Sequence, residues 1–154
     1  MKRPAGQPVE ETSGALRLDR AVRCIESGIA KARELGFQVA IAVVDAGGHL
    51  VATHRMDGAL WVTPDIARAK ANATVAFRAS TEELEERFTR RLLFAENVAA
   101  MGQHQFVFGK GGIPILEGGE IVGGVGVSGA VPAENDHLIA DAAAGHPVLP
   151  RRQH

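Results

Sequence analysis

The chain has 154 residues, 45% of them hydrophobic and 23% charged, with a formal net charge of −1. That length suits one domain with a core of its own, and the near-neutral balance argues against the basic stripe of a nucleic-acid surface. The single cysteine, Cys24, excludes an intrachain disulfide or a CxxC site, and no apolar run is long enough to cross a membrane. Residues 1–14, MKRPAGQPVEETSG, lack the apolar stretch of a signal peptide and read as a disordered lead-in. A cytoplasmic location is therefore expected, with residues 15–145 as the folded domain and 146–154 as a C-terminal tail.

In chain order, Leu18, Val22, Ile25, Ile29 and Ala32 recur at helical spacing, and Gly36 ends the pattern. Cys24 sits inside this helix beside Val22 and Ile25 and is expected to be a buried thiol. FQVAIAVVD (37–45) is apolar on both alternating faces, the signature of a central strand covered on both sides. DAGGH turns the chain, because Gly47 and Gly48 tolerate positive φ, and LVATHRM (50–56) returns as the partner strand. Thr63-Pro64-Asp65 opens a second, alanine-rich helix, with Thr63 as its cap. Ser80 and Glu83 have the spacing of a capping box. The helix that follows, 81–93, should turn Leu84, Phe88 and Leu92 inward. Residues 94–105 show no clear period. FVFGKGGIPIL, the turn EGGE and IVGGVGVSG then read as a second pair of strands, and AENDHLIADAAAG as a closing helix stopped at Gly145. Hairpin connections imply antiparallel pairing, so the expected class is α+β.

Nine of the 18 glycines fall between Gly109 and Gly129. Gly124–Gly129 spells G-x-G-x-x-G, but a dinucleotide site needs a second parallel strand carrying an acidic residue, and none follows Asp141. Close approach of a helix, strand or subunit is the better reason for these glycines. The VSGA segment before the last helix is the exception, because backbone N–H groups in such a turn form an anion nest. Gly111, Gly112, Ser128 and Gly129 are ligand-binding candidates, together with Asp136, which also suits the helix dipole. Arg55 is a guanidinium fork for a carboxylate or half of a surface ion pair with Asp57. Lys70, on an otherwise small and apolar helix face, snorkels at an edge or faces a pocket. Arg55, Asp57 and Lys70 are the catalytic candidates, suited to proton transfer on a small anion. Six histidines form no HxH or HxxxH pair, so no metal site is expected. His137 is expected to be exposed. A haem needs only one protein ligand, and His49, His54 and His104 are the candidates.

The segments VAIAVVDAGGHLVATHRMDGA, IARAKANATVAF, GGIPILEGGEIVGGVGVSGA and NDHLIADAA occur in an order that resembles the GlcG/HbpS family, which includes the C-terminal domain of PduO-type corrinoid adenosyltransferases. The resemblance spans roughly residues 15–145 and is poor around 90–105. It implies a profilin-like fold, a central antiparallel sheet flanked by helices. It also implies assembly into homo-oligomers from dimers to octamers, and haem binding in several members. Arg55 and Lys70 fall within its motifs. Three functions follow as expectations: a haem- or tetrapyrrole-binding oligomer, a catabolic enzyme acting on a small carboxylated or carbonyl substrate, or a non-enzymatic accessory protein. An apolar strand and a small-residue helix that one chain cannot fully cover place the expected pocket at a subunit boundary.

Overall fold

The computed structural model describes residues 15–101 and 105–145. Helix α1 (Leu18–Leu35) leads into β1 (Ala40–Asp45) and β2 (Leu50–Arg55), followed by α2 (Thr63–Phe77), α3 (Thr81–Thr89) and α4 (Leu92–Ala99). Strands β3 (Gly112–Glu117) and β4 (Glu120–Ser128) come next, and α5 (Glu134–Ala144) closes the domain. The four strands form one antiparallel sheet in the order β2-β1-β4-β3. The α+β class is as expected, with α1 and α5 on one face of the sheet and α2 on the other.

Strand β1 is central because every residue from Ala40 to Val44 is buried. Val39, Ile41 and Val43 join Val125, Val127, Ile113 and Ile115 in a core under α1 and α5. Alternation turns Ala40, Ala42 and Val44 towards α2. Helix α1 reaches this core through its small side: Ala21, Cys24, Ile25, Gly28 and Ala32 are buried. A Cβ at Gly28 would lie 2.5 Å from Ile41 Cδ1 and 3.1 Å from Ala143 Cβ, so α1 fits against the sheet and α5 only without a side chain there. Leu18, placed on the buried face by periodicity, is exposed because the helix rotates to present Gly28. Gly36 ends α1 in the left-handed region, φ 83°.

The glycine block serves α2. A Cβ on Gly126 would collide with the Ala67 carbonyl oxygen, and one on Gly124 with Thr74 Oγ1. At Gly112 a Cβ would stand 2.9 Å from the Lys70 carbonyl oxygen. These three glycines share one face, since Gly112 pairs with Gly126 and Pro114 with Gly124. They form a floor on which α2, buried through Ala67, Ala71 and Thr74, lies almost backbone to backbone.

Three expectations shift. Thr63 is the first helical residue and not the cap; Val62 holds that place, and Thr63 Oγ1 donates to the Leu60 carbonyl at 2.6 Å. The helix expected over 81–93 ends at Thr89, and α4 begins at Leu92 after Arg91 leaves helical geometry. Phe88, in the last turn of α3, joins Phe77 at 5.3 Å and Phe108 at 4.7 Å in a second small core. Leu92, expected inside, is 67% exposed. The stretch 106–110 is not strand, because Phe106 and Phe108 also belong to this cluster and β3 begins only after Gly111 turns the chain at φ 122°. Ser80 caps α3 as expected, accepting the Glu83 N–H at 3.2 Å.

Candidate functional site

The expected anion nest exists, and its occupant comes from the same chain. After β4 the chain turns at Gly129, φ 129°, and the Ala130 N–H donates to Asp136 Oδ1 at 2.9 Å. Asp136 stands in the first turn of α5 and is only 3% exposed. Its other oxygen accepts from Lys70 Nζ at 3.2 Å, and the same ammonium donates to the Val127 carbonyl at 2.9 Å. Burial pushes the Asp136 carboxyl above the usual range, while the Lys70 charge and the Ala130 N–H oppose the shift. Gly111 packs over the pair, where a Cβ would be 2.8 Å from Asp136 Cβ and 3.1 Å from Lys70 Nζ. Gly112 and Ser128 are buried beside it. The structure therefore brings Lys70, Gly111, Gly112, Ser128, Gly129 and Asp136 together, as a closed ionic joint between α2, β4 and α5. Lys70 does not line the cleft that holds Arg55, and the carboxylate of Asp136 takes the Ala130 N–H.

Arg55 and Asp57 lie elsewhere. The β1–β2 hairpin pairs Ala40 with Arg55, and the Met56 N–H extends the pairing by donating to the Val39 carbonyl at 2.9 Å. The end of β2 thus meets the segment entering β1, beside the last turns of α1. An open cleft of about 810 Å³ lies there. Helix α1 contributes Ile29 and Arg33, the connection contributes Gly36, Phe37 and Gln38, and the β2 end contributes His54, Arg55, Met56 and Asp57. Arg55 Nη1 donates to the Ala59 carbonyl at 3.3 Å. The side chains of Arg33, His54 and Asp57 take no hydrogen-bond or ion-pair partner among the described residues. The lining mixes the half-buried Ile29, Phe37 and Met56 with the exposed Arg33, His54, Arg55 and Asp57, within the size range of small-molecule sites.

The other histidines divide. His49 is held in the hairpin turn, its N–H and ring Nδ1 at 3.0 and 3.2 Å from Asp45 Oδ1. His104 lies outside the described residues. His137, expected to be exposed, is half-buried, with Nε2 3.3 Å from Glu82 Oε2 on α3. Among the described residues no group of three or more His, Cys, Asp or Glu side chains is arranged to hold a metal ion. Cys24 is buried as expected, and burial raises its thiol above the ordinary value. No described helix is long and apolar enough to cross a membrane.

Sequence reading missed Arg33, Gln38, Ile29 and Met56 as cleft residues. The available signal was the hairpin: once 37–45 and 50–56 pair, residues 37–38 and 54–57 must be neighbours. Arg33 joins them only through the packing of α1 on the sheet, which no local pattern announces.

Residues 16–145 match the model of a family described as haem degrading protein HbpS-like. The chain belongs to the HbpS-like family. It is 33% identical over 124 residues to protein GlcG of Escherichia coli, covering 77% of this chain and 84% of GlcG. The crystal structure of a double mutant of Streptomyces reticuli HbpS superposes with a TM-score of 0.76 at 32% identity, over 92% of this chain and 97% of that one. The PduOC–haem complex superposes with a TM-score of 0.75 at 28% identity, covering 90% and 99%. The HbpS-like fold is therefore the fold of this chain, and its sheet and helices are those expected from the resemblance.

Proposed function

We propose that this HbpS-like protein binds haem or a related tetrapyrrole in the cleft between the end of α1 and the end of β2. The observation that carries the reading is His54: an imidazole without a protein partner, in a cleft of about 810 Å³ whose walls include Ile29, Phe37 and Met56. A flat apolar macrocycle needs such walls, and a single histidine suffices to hold a haem iron. His49 is committed to its turn, so His54 is the better of the two ligands among the described residues. The family description and the PduOC–haem complex support the same ligand class. Bound haem would supply redox-active iron; the chain's part is to enclose the ring and present the imidazole.

Titration of the purified protein with hemin tests this. A saturable Soret band at one equivalent is expected, and His54→Ala should move its position and weaken binding, whereas His49→Ala should leave both unchanged. No saturable band at stoichiometric hemin removes the reading.

A second reading rests on Arg55 and Asp57 lining one cleft. A small carboxylate held by Arg55 would lie in the same cleft as a carboxylate able to carry protons. Ligand stabilisation by small carboxylates that persists in Arg55→Ala would count against it. We also propose self-association. Trp61 is 79% exposed, and α4 buries none of its side chains although it carries Leu92, Leu93 and Phe94; apolar patches of this kind mark interfaces.

A further inference from the structure

We propose that the cleft selects ligands bearing two carboxylates, with Arg33 on α1 and Arg55 at the end of β2 as paired anchors. This rests on the tetrapyrrole reading above and adds which groups of the ligand set affinity and selectivity.

The first ground is the charge balance of the cleft. Its lining holds two arginines and one aspartate, a net charge of +1 with His54 neutral. Asp57 forms an ion pair with neither arginine. Some surface cations are matched within the chain: Arg20 meets Glu117 at 3.3 Å, Arg23 meets Asp19 at 3.2 Å, Lys31 meets Glu34 at 3.2 Å and Lys110 meets Glu134 at 3.0 Å. Arg33 and Arg55 take no ion pair among the described residues, as Arg68, Arg78, Arg87 and Arg90 do not, and they are the two that line one cleft.

The second ground is the origin of the two groups. They come from different elements, brought to one cleft by the packing of α1 against the hairpin. A guanidinium presents a planar fork that fits a carboxylate through two hydrogen bonds. Arg55 uses Nη1 on the Ala59 carbonyl, which orients the group and leaves its other donors for a ligand. A ligand with one carboxylate leaves one fork without a counter-ion, and a ligand with both acids esterified leaves two.

Arg33 also lies in the last turn of α1, where any basic residue favours the helix dipole. That preference accounts for a positive charge near Gly36. It is indifferent to whether the charge shares a cleft with Arg55, and it predicts no effect on ligand choice.

The experiment compares hemin with hemin dimethyl ester in one solvent mixture, followed by Soret absorbance, for the wild-type protein, Arg33→Ala, Arg55→Ala and Arg33→Lys. Both guanidinium groups are at the surface, and circular dichroism checks that each variant is folded. The wild-type protein should bind hemin at least tenfold tighter than the diester. Each alanine variant should lose roughly tenfold in hemin affinity, the scale of one charged hydrogen-bonded contact, with the Soret position and the diester affinity unchanged. Arg33→Lys should recover part of the loss, and added salt should weaken hemin binding less in the alanine variants than in the wild type. Equal affinity for the two ligands, unchanged hemin affinity in both alanine variants, or equal loss of hemin and diester overturns the proposal while leaving the haem reading in place. A wild-type protein that forms no saturable complex with hemin overturns both.

Discussion

Lys70 and Asp136 are 66 positions apart and meet in the interior at 3.2 Å, 5% and 3% exposed. A buried pair of this kind adds little net stability over a well-packed apolar pair, but breaking it leaves an uncompensated charge. Lys70→Ala should therefore cost about 3–5 kcal/mol at neutral pH. The pH dependence follows from Asp136, whose folded-state carboxyl is raised above its ordinary value by burial. A carboxyl raised on folding contributes stability that is fully present below its unfolded pKa and is lost as pH rises through the folded one. Removing Lys70 removes the main opposing charge, so the loss in Lys70→Ala should be smaller at pH 4 than at pH 7. Urea unfolding at the two pH values measures this, and equal losses would contradict the assignment. His137, expected to be exposed, is half-buried for a related reason: it turns towards Glu82 on a different helix.

At the scale of elements, the contact between α2 and the sheet is decided by backbone clearance. Gly126→Ala places a methyl group against the Ala67 carbonyl, and neither backbone can yield without moving α2 or β4. The expected loss is about 2–3 kcal/mol. Gly119, in the β3–β4 turn, has φ 82° and open space around it. Gly119→Ala should cost only the left-handed backbone penalty, about 1 kcal/mol. Chemical denaturation of the two variants side by side separates packing from conformation, and similar losses would mean that the floor under α2 is not tight. Helix ends governed by backbone geometry were legible: Gly36 and Gly145 stop α1 and α5 in left-handed conformations. The division of 81–99 into α3 and α4 was not, because the break at Arg91 falls at no glycine or proline that would announce it.

For the whole molecule, the apolar side chains of α4 and the outer edges of β2 and β3 are among the surfaces the described residues leave unpaired within one chain. The proposed homo-oligomer should appear in light scattering at micromolar concentration as a multiple of the 16.2 kDa chain mass. Leu92→Glu with Leu93→Glu should shift it towards the monomer without unfolding it, since both side chains are already exposed. A monomeric wild-type protein would sink the assembly proposal, and an unchanged mass in the double variant would move the interface off α4.

The amino-acid sequence by itself determined what depends on neighbours along the chain. An apolar strand with both faces alike must lie inside a sheet, glycines must occupy left-handed turns, and short hairpins must pair antiparallel. Those rules yielded the α+β class, the central place of β1 and the partnership of β1 with β2. Tertiary structure alone decided which charges meet. Arg55 and Lys70, both read as site residues, went to different places: Arg55 donates to nearby Ala59 and shares its cleft with Arg33 and Phe37, whereas Lys70 meets Asp136 and Val127 from distant segments. A buried ammonium goes to the carboxylate and carbonyl that packing places within reach, and packing is a property of the whole sheet and its helices. The nest after β4 shows the same division. Its glycine was plain in the sequence, while its occupant, the carboxylate of Asp136, was settled by how α5 docks.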